Sequence, residues 1–161
     1  MKKLLVMRHA KSDWSNDNLS DFDRPLNERG EKSAPYIGKE LKKMGLTPEL
    51  ILSSPANRAK STAILFAKNN GYEKEIKYID DFYFGNLHDI FKHIKLIDDS
   101  IENLMIIGHN PTWENIVNNL NCKQEYFEMS TANLVILSAD IKSWSELKDK
   151  CFNIQAILKP K

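Results

Sequence analysis

Short apolar runs alternate with segments of helical periodicity through the first 120 residues, and this alternation constrains the fold more than any other feature. The runs are three or four residues long, and the fourth is apolar throughout, which is typical of a strand covered on both faces of a sheet. A chain that alternates in this way is expected to be an α/β protein. The predicted strands cover 4–7, 50–52, 76–79 and 104–107.

Helical segments follow each of these strands. Two of the helices begin with a polar residue and a proline, Ser54-Pro55 and Asn110-Pro111, which combine a capping side chain with a favourable first helical residue. Two later apolar runs have no helix between them, and we expect them to join the sheet as antiparallel strands. The predicted helices cover 28–44, 55–70, 87–98 and 111–120, and the two later strands cover 134–137 and 152–158. The sequence thus predicts an α/β three-layer sandwich, with a mostly parallel central sheet and helices on both faces.

The length and the charge of the chain restrict its class. With 161 residues, it is expected to form a single domain, 1–161, without a large cap insertion. Its net charge is +1, from 23 basic and 22 acidic residues, so we expect no general affinity for nucleic acid or for a membrane. We also expect a monomer.

The cysteines and the N-terminus indicate the compartment. Cys122 and Cys151 form no CxxC motif and no His/Cys cluster, which favours free thiols in a reducing cytoplasm. The apolar stretch near the N-terminus is too short for a secretory signal and ends at Arg8, and no stretch is long enough to cross a membrane. The expected localisation is therefore cytoplasmic.

Charged side chains follow three of the predicted strands. Arg8 and His9 come directly after the first strand, Arg58 lies in the first turn of the helix after the second, and His109 follows the fourth. Ligands of open α/β sheets bind at the carboxyl ends of the parallel strands. If these three strands are parallel, two arginines and two histidines meet there in one positive pocket.

A tetrahedral phosphoryl dianion is the ligand that such a pocket fits. Arginine is a planar fork of donors that stays protonated and binds phosphate through two hydrogen bonds. Nearby arginines also oppose the protonation of a histidine, which keeps one ring nitrogen free to attack phosphorus. The other ring nitrogen must then be anchored as a donor, for example to a backbone carbonyl. The pattern predicts a phosphate site with a nucleophilic histidine.

Each of these residues also has a simpler interpretation. An Arg-His pair after a strand is usually part of a surface turn, Arg58 alone could form a surface ion pair, and His109 alone could be a capping or core residue. A metal site built on His9 and His109 is disfavoured, because the guanidinium of Arg8 would repel a cation. His88 lies on a predicted helix and is expected at the surface. The recurrence of phosphate-compatible residues at three strand ends favours the phosphate site.

Four sequence motifs, in the same order along the chain, resemble those of the histidine phosphatase superfamily and in particular its SixA-like phosphohistidine phosphatases. They are RHAKSDW at 8–14, DFDRPLNERG at 21–30, SSPANRAKSTA at 53–63 and GHNPTWE at 108–114. The resemblance implies a phosphoglycerate-mutase-like fold and a hydrolase of the histidine phosphatase type. Since Arg8 and Arg58 supply positive charge to the pocket, we expect catalysis without a metal ion or a cofactor.

The resemblance further implies roles for individual residues. His9 matches the catalytic nucleophile of the superfamily. The other catalytic residues, which also bind the phosphoryl group of the substrate, are matched by Arg8, Arg58 and His109. Ser12 is expected to add a hydroxyl to phosphate binding. The segment Asp-Arg-Pro-Leu at 23–26 is expected to shape its loop rather than to take part in catalysis.

Two positions depart from the superfamily pattern. Ala10 replaces the glycine of the Arg-His-Gly signature, as is usual in the SixA-like branch. Larger relatives carry a glutamate after the third strand that protonates the leaving group, and no equivalent is evident at 80–85 here. Asp80, Asp81 and His88 are candidates by proximity in sequence only, so the proton donor stays unassigned.

The sequence therefore predicts a phosphatase that forms a covalent phosphohistidine on His9 and acts on protein phosphohistidine. Its expected partner is a phosphorylated protein, such as a histidine-phosphotransfer domain, or a small phosphate ester. Two alternatives stay open, a monoester phosphatase for a small metabolite and an inactive phosphoprotein-binding module on the same fold. A mutase is disfavoured, because it would need a confining lid and a proton donor.

Overall fold

A computed structural model describes residues 1–161, and a single six-stranded sheet forms its centre. The strands are β1 (Lys2–Arg8), β2 (Leu50–Ser53), β3 (Ile76–Tyr78), β4 (Asn103–Gly108), β5 (Leu134–Ala139) and β6 (Asn153–Leu158). They lie in the order β3-β2-β4-β1-β5-β6. The first four in this order are parallel, whereas β5 is antiparallel to both of its neighbours, β1 and β6. The predicted mostly parallel sheet with antiparallel additions is confirmed.

Helices cover both faces of this sheet. They are α1 (Glu28–Lys43), α2 (Asn57–Asn70), α3 (Asp81–Phe84), α4 (Leu87–Lys95) and α5 (Thr112–Leu120). Helices α1 and α2 pack on one face, and α3, α4 and α5 pack on the other, which completes the three layers. None of these helices combines the length and the apolar character that a bilayer span requires.

The ends of the helices show which capping signals act. The Asn27 side chain accepts a hydrogen bond of 2.9 Å from the Gly30 amide and so caps α1 as predicted. The Asn110 side chain accepts one of 3.2 Å from the Glu114 amide in the first turn of α5. Helix α4 ends at Lys95 rather than at residue 98, because the chain there tightens into hydrogen bonds that span three residues instead of four.

The helix after β2 begins later than its sequence signal predicts. Helix α2 starts at Asn57 and no side chain caps it at Ala56, so the prediction that Ser54 and Pro55 begin the helix is wrong. The Ser54 hydroxyl is instead hydrogen-bonded at 2.7 Å to Nε2 of His109, and it accepts a hydrogen bond of 3.2 Å from the Ala56 amide. This hydroxyl therefore binds the ring of His109 and does not cap the helix.

The apolar run in β1 forms the middle of the core. Leu4 and Val6 pack among residues of α3, α4 and α5, whereas Leu5 and Met7 pack among residues of α1 and α2. All four side chains are fully buried. Successive side chains of a strand point to opposite faces of the sheet, so a run without polar residues requires cover on both faces. This rigid centre fixes the position of the residues that follow β1.

Candidate active site

The carboxyl ends of β1, β2 and β4 meet at one edge of the sheet, where a cavity of about 260 Å³ opens. Arg8 pairs with Gly108 across β1 and β4, so the chain places the rings of His9 and His109 side by side, with centroids 5.1 Å apart. All five site residues predicted from the sequence lie in the wall of this cavity. The wall is formed by Arg8, His9, Lys11, Ser12, Trp14, Arg24, Arg58, His109, Asn110 and Thr131.

The ring of His9 is fixed in one tautomer and one orientation. Its Nδ1 donates a hydrogen bond of 2.7 Å to the Ala10 carbonyl, which can only accept. Burial lowers the pKa of His9 to about 3, and the positive charges of Arg58 and Arg8 act in the same direction. The imidazole is therefore neutral near pH 7. Its Nε2 then carries a free lone pair, which is the state that a nucleophile requires.

The second histidine is also neutral but is held differently. Nε2 of His109 is hydrogen-bonded to the Ser54 hydroxyl, and its Nδ1 is buried without a partner. Burial lowers the pKa of His109 to about 3, with a further contribution from Arg58. The edge of the Tyr83 ring meets the His109 ring at a centroid distance of 5.5 Å. His109 therefore lies beside His9 as a polar and uncharged side chain.

The guanidinium groups in the cavity wall leave several donors unsatisfied. Nη1 of Arg8 donates to the Met129 carbonyl at 3.1 Å, and Nη1 of Arg58 donates to the Asp21 carbonyl at 2.7 Å. However, the buried Nε atoms of Arg8, Arg24 and Arg58 have no hydrogen-bond partner. Three guanidinium groups in the wall of one cavity suit an anion with several acceptor oxygens. The arrangement therefore fits a phosphoryl group.

Arg24 is a pocket residue whose position the sequence did not predict. Its segment, 23–26, was expected only to shape the loop. The structure places the guanidinium in the cavity wall, where Nη1 donates to the Ser12 hydroxyl and Nη2 pairs with Asp21 at 3.2 Å. The same group stacks 3.5 Å above the centre of the exposed Trp14 ring. The pocket thus holds three arginines rather than the two that the strand ends indicated.

Asp21 is a second residue that sequence reasoning missed. Its carboxylate accepts hydrogen bonds from Arg24 at 3.2 Å, from Arg58 at 3.1 Å and from the Tyr83 hydroxyl at 2.6 Å. The Tyr83 hydrogen bond, together with the charge of Arg58, lowers the pKa of Asp21 to about 2. The carboxylate is ionised near pH 7 and cannot donate a proton there. Its place in the motif at 21–30 was the only sequence signal for it.

The three candidates for the proton donor lie outside the cavity wall, and the proton donor stays unassigned. Asp81 accepts a hydrogen bond of 2.7 Å from Nε2 of His93, and His88 is exposed on α4. The reason is the single turn of α3, which buries Phe82 and brings Tyr83 to the site. No three His, Cys, Asp or Glu side chains of the chain lie close enough together to hold a metal ion.

Comparison with known protein families and sequences gives one consistent result. Residues 4–95 match the model of the histidine phosphatase superfamily, branch 1. An uncharacterized chloroplastic protein of Arabidopsis thaliana is 32% identical over 154 residues, which cover 90% of this chain and 70% of that protein. An uncharacterized protein of Mycobacterium leprae is 33% identical over 109 residues, covering 66% of this chain and 65% of its own. The chain thus spans about two thirds of the length of these relatives.

Solved structures with the same architecture include two SixA proteins. The protein histidine phosphatase SixA in complex with tungstate has a TM-score of 0.84 at 18% identity, covering 98% of this chain and 97% of its own. A putative phosphohistidine phosphatase SixA from Agrobacterium tumefaciens has a TM-score of 0.83 at 26% identity, covering 99% of this chain and 98% of its own. The whole chain therefore adopts the fold of these proteins.

Proposed function

The chain belongs to the histidine phosphatase superfamily, and from that membership we propose that it hydrolyses protein phosphohistidine through a covalent intermediate on His9. One observation carries the proposal. The Ala10 carbonyl holds Nδ1 of His9 as a donor, so Nε2 presents its lone pair to a cavity lined by three arginines. A neutral, oriented imidazole among fixed positive charges is suited to attack an electrophilic phosphorus atom.

The reaction has two steps. In the first, Nε2 of His9 forms a bond to phosphorus while the bond to the leaving group breaks, and the leaving group keeps the electron pair. In the second, water attacks the phosphohistidine, inorganic phosphate leaves, and the imidazole returns to its neutral form as the proton of water is released. Arg8, Arg24 and Arg58 neutralise the equatorial oxygens in both transition states, a role that many phosphoryl-transfer enzymes give to metal ions.

The nature of the cavity wall supports phosphohistidine as the substrate. An alkoxide leaving group must be protonated in the transition state, and a positioned acid supplies a factor of about 10²–10⁴. No carboxyl group lies in the cavity wall, and that of Asp21, which binds Arg24 and Arg58, is already ionised. The imidazole of a phosphohistidine, protonated at its distal nitrogen, leaves as a neutral molecule and needs less help. The proposal therefore favours phosphoramidates over alkyl phosphates.

The rim of the cavity supports a protein as the substrate. Trp14 lies in the cavity wall and is 73% exposed. Phe84 is 77% exposed, and its ring contacts the ring of Tyr83, which in turn contacts His109. Exposed aromatic side chains are common anchors of protein interfaces. A phosphorylated protein could rest on both while its side chain enters the cavity. We place this reaction in the cytoplasm, where the thiols of Cys122 and Cys151 stay reduced.

Rapid quench with a ³²P-labelled phosphohistidine protein tests the mechanism. We expect label on His9 that is labile to acid and stable to base. The label and the turnover should both be lost in His9→Ala, and both should persist in the control His88→Ala, since His88 is exposed and lies outside the cavity wall. Turnover by His9→Ala at the wild-type rate would refute the mechanism. Vanadate binding without hydrolysis of any phosphorylated substrate would identify a binding module instead.

The substrate assignment has its own measurement. The value of kcat/KM for a phosphorylated histidine-phosphotransfer protein should exceed the values for sugar phosphates and for phosphoserine peptides. The physical reason is the poor alkoxide leaving group of the two latter classes. A clear preference for an alkyl monoester would show that the chain is a monoester phosphatase. It would also show that a proton donor reaches the leaving group.

A further inference from the structure

A single carboxylate connects three side chains of the proposed active site. Asp21 binds Arg24 through Oδ1 at 3.2 Å, and through Oδ2 it binds Arg58 at 3.1 Å and the Tyr83 hydroxyl at 2.6 Å. Its backbone carbonyl accepts a second hydrogen bond from Arg58, at 2.7 Å. Arg58 is therefore held at two points by one residue of the long loop between β1 and α1.

The location of this carboxylate separates two roles that it could have. Asp21 is absent from the cavity wall and its side chain is 51% exposed, whereas the side chains of Arg24 and Arg58 are 9% and 7% exposed. A carboxylate that imitated phosphate would lie inside the cavity and would have to leave before a substrate entered. Asp21 instead contacts both guanidinium groups without lining the cavity, whereas both of these groups do line it.

We propose that Asp21 is a positioning residue, which holds Arg24 and Arg58 in the orientation that binds the transferring phosphoryl group. The inference rests on the proposed function, because that function defines what the arginines bind. Arginine loses considerable side-chain freedom when it is fixed, and a fixed fork binds an anion more tightly than a mobile one. The hydrogen bond to Tyr83 extends this effect to the ring that meets His109.

Neutralising Asp21 should have opposite effects on anion binding if its carboxylate competes with phosphate and if it positions the arginines. Removal of a negative charge beside a phosphate site should by itself strengthen anion binding, and removal of a competing carboxylate should do the same. Loss of a positioning contact should weaken binding, because both arginines become mobile. We therefore expect Asp21→Asn to weaken the binding of orthovanadate by about tenfold or more, although the loss of a negative charge alone would strengthen it.

The experiment measures orthovanadate binding by calorimetry on the full chain and, separately, kcat and KM with a phosphohistidine protein. Asp21→Asn and Asp21→Ala are compared with the matched control Asp23→Asn. Asp23 lies in the same loop and its side chain accepts hydrogen bonds only from Ser20. The control should bind as the wild type does, and Asp21→Glu, which keeps the charge, should recover part of the loss. Circular dichroism verifies that each variant is folded.

Three results decide the question. Weaker vanadate binding by Asp21→Asn, with partial recovery in Asp21→Glu, supports the positioning role. Equal or tighter binding by Asp21→Asn overturns it, and so does an equal loss in the Asp23→Asn control. The binding measurement needs no turnover. If the wild type binds vanadate but hydrolyses nothing, the proposed function fails while the role of Asp21 in anion binding is still decided.

Discussion

Acidification should destabilise the folded protein, because two histidines are held neutral at the candidate site. Burial lowers the pKa of His9 and of His109 to about 3 from the ordinary value of 6.5, which a histidine regains on unfolding. Between these values the unfolded chain binds more protons than the folded chain. The free energy of unfolding therefore falls as the pH falls below about 6.5, and it is unaffected by these two groups at higher pH.

The size of the effect follows from the two pKa values. Each pH unit below 6.5 removes about 1.36 kcal/mol for each histidine, so at about pH 5 the loss for one is about 2 kcal/mol. The pKa of His109 is lowered to the same value, so the same loss applies to it. The two histidines together remove about 4 kcal/mol at about pH 5, which is a large part of the roughly 5–15 kcal/mol that typically stabilises a domain. The stabilising contribution of Asp21, whose pKa is lowered from 3.8 to about 2, is lost only when the pH falls below about 4.

Denaturant titrations at a series of pH values between about 7.5 and 5 measure this loss. His9→Gln should reduce the pH dependence by roughly half, since only His109 then remains to titrate. The control His88→Gln should keep the full wild-type dependence, because His88 is exposed. A stability that is constant over this interval would refute the conclusion that both rings are neutral. The same holds for a His9→Gln slope that equals that of the wild type.

Two further predictions concern activity. Phosphatase activity should survive excess chelator, since Arg8, Arg24 and Arg58 supply the positive charge, and a strict requirement for an added divalent metal would contradict this. Phe84→Ser should lower kcat/KM for a phosphohistidine protein several-fold but leave that for a small aryl phosphate unchanged, since a small substrate does not reach this exposed side chain; equal losses for both substrates would argue against a protein contact there.

The strands could be predicted because a strand that is buried on both faces appears in the sequence as an uninterrupted run of apolar residues. A run such as 104–107 has one structural interpretation once helices flank it, and the position of His109 follows from the end of that run. The signal at Ser54 and Pro55 was misleading because it is purely local. A serine before a proline resembles a cap, but whether its hydroxyl turns to the helix or to His109 depends on a residue more than fifty positions away.

The residues that sequence reasoning missed lie in the loop between β1 and α1. This segment has no periodicity, so nothing in it reports which side chains turn inward. Gly30, the last residue of the motif at 21–30, shows one structural requirement of that motif. A Cβ at this position would lie 2.2 Å from the Lys11 carbonyl oxygen, so only glycine lets α1 lie against the start of the loop. The glycine of the motif thus indicates a close backbone approach, whereas the positions of Asp21 and Arg24 at the site follow only from the three-dimensional structure.

The chemistry proposed for the site depends on a packing contact distant from the phosphate. The Phe82 ring is buried edge-on against Trp113 with centroids 5.2 Å apart, and this contact fixes the rotation of the single turn of α3. With that rotation, Tyr83 turns to the site, while Asp81 turns to His93. The carboxyl group of Asp81, which sequence proximity suggested as a proton donor, thereby lies outside the cavity wall. Under the proposed function, this core contact is one reason to expect substrates whose leaving group departs without a proton from the protein.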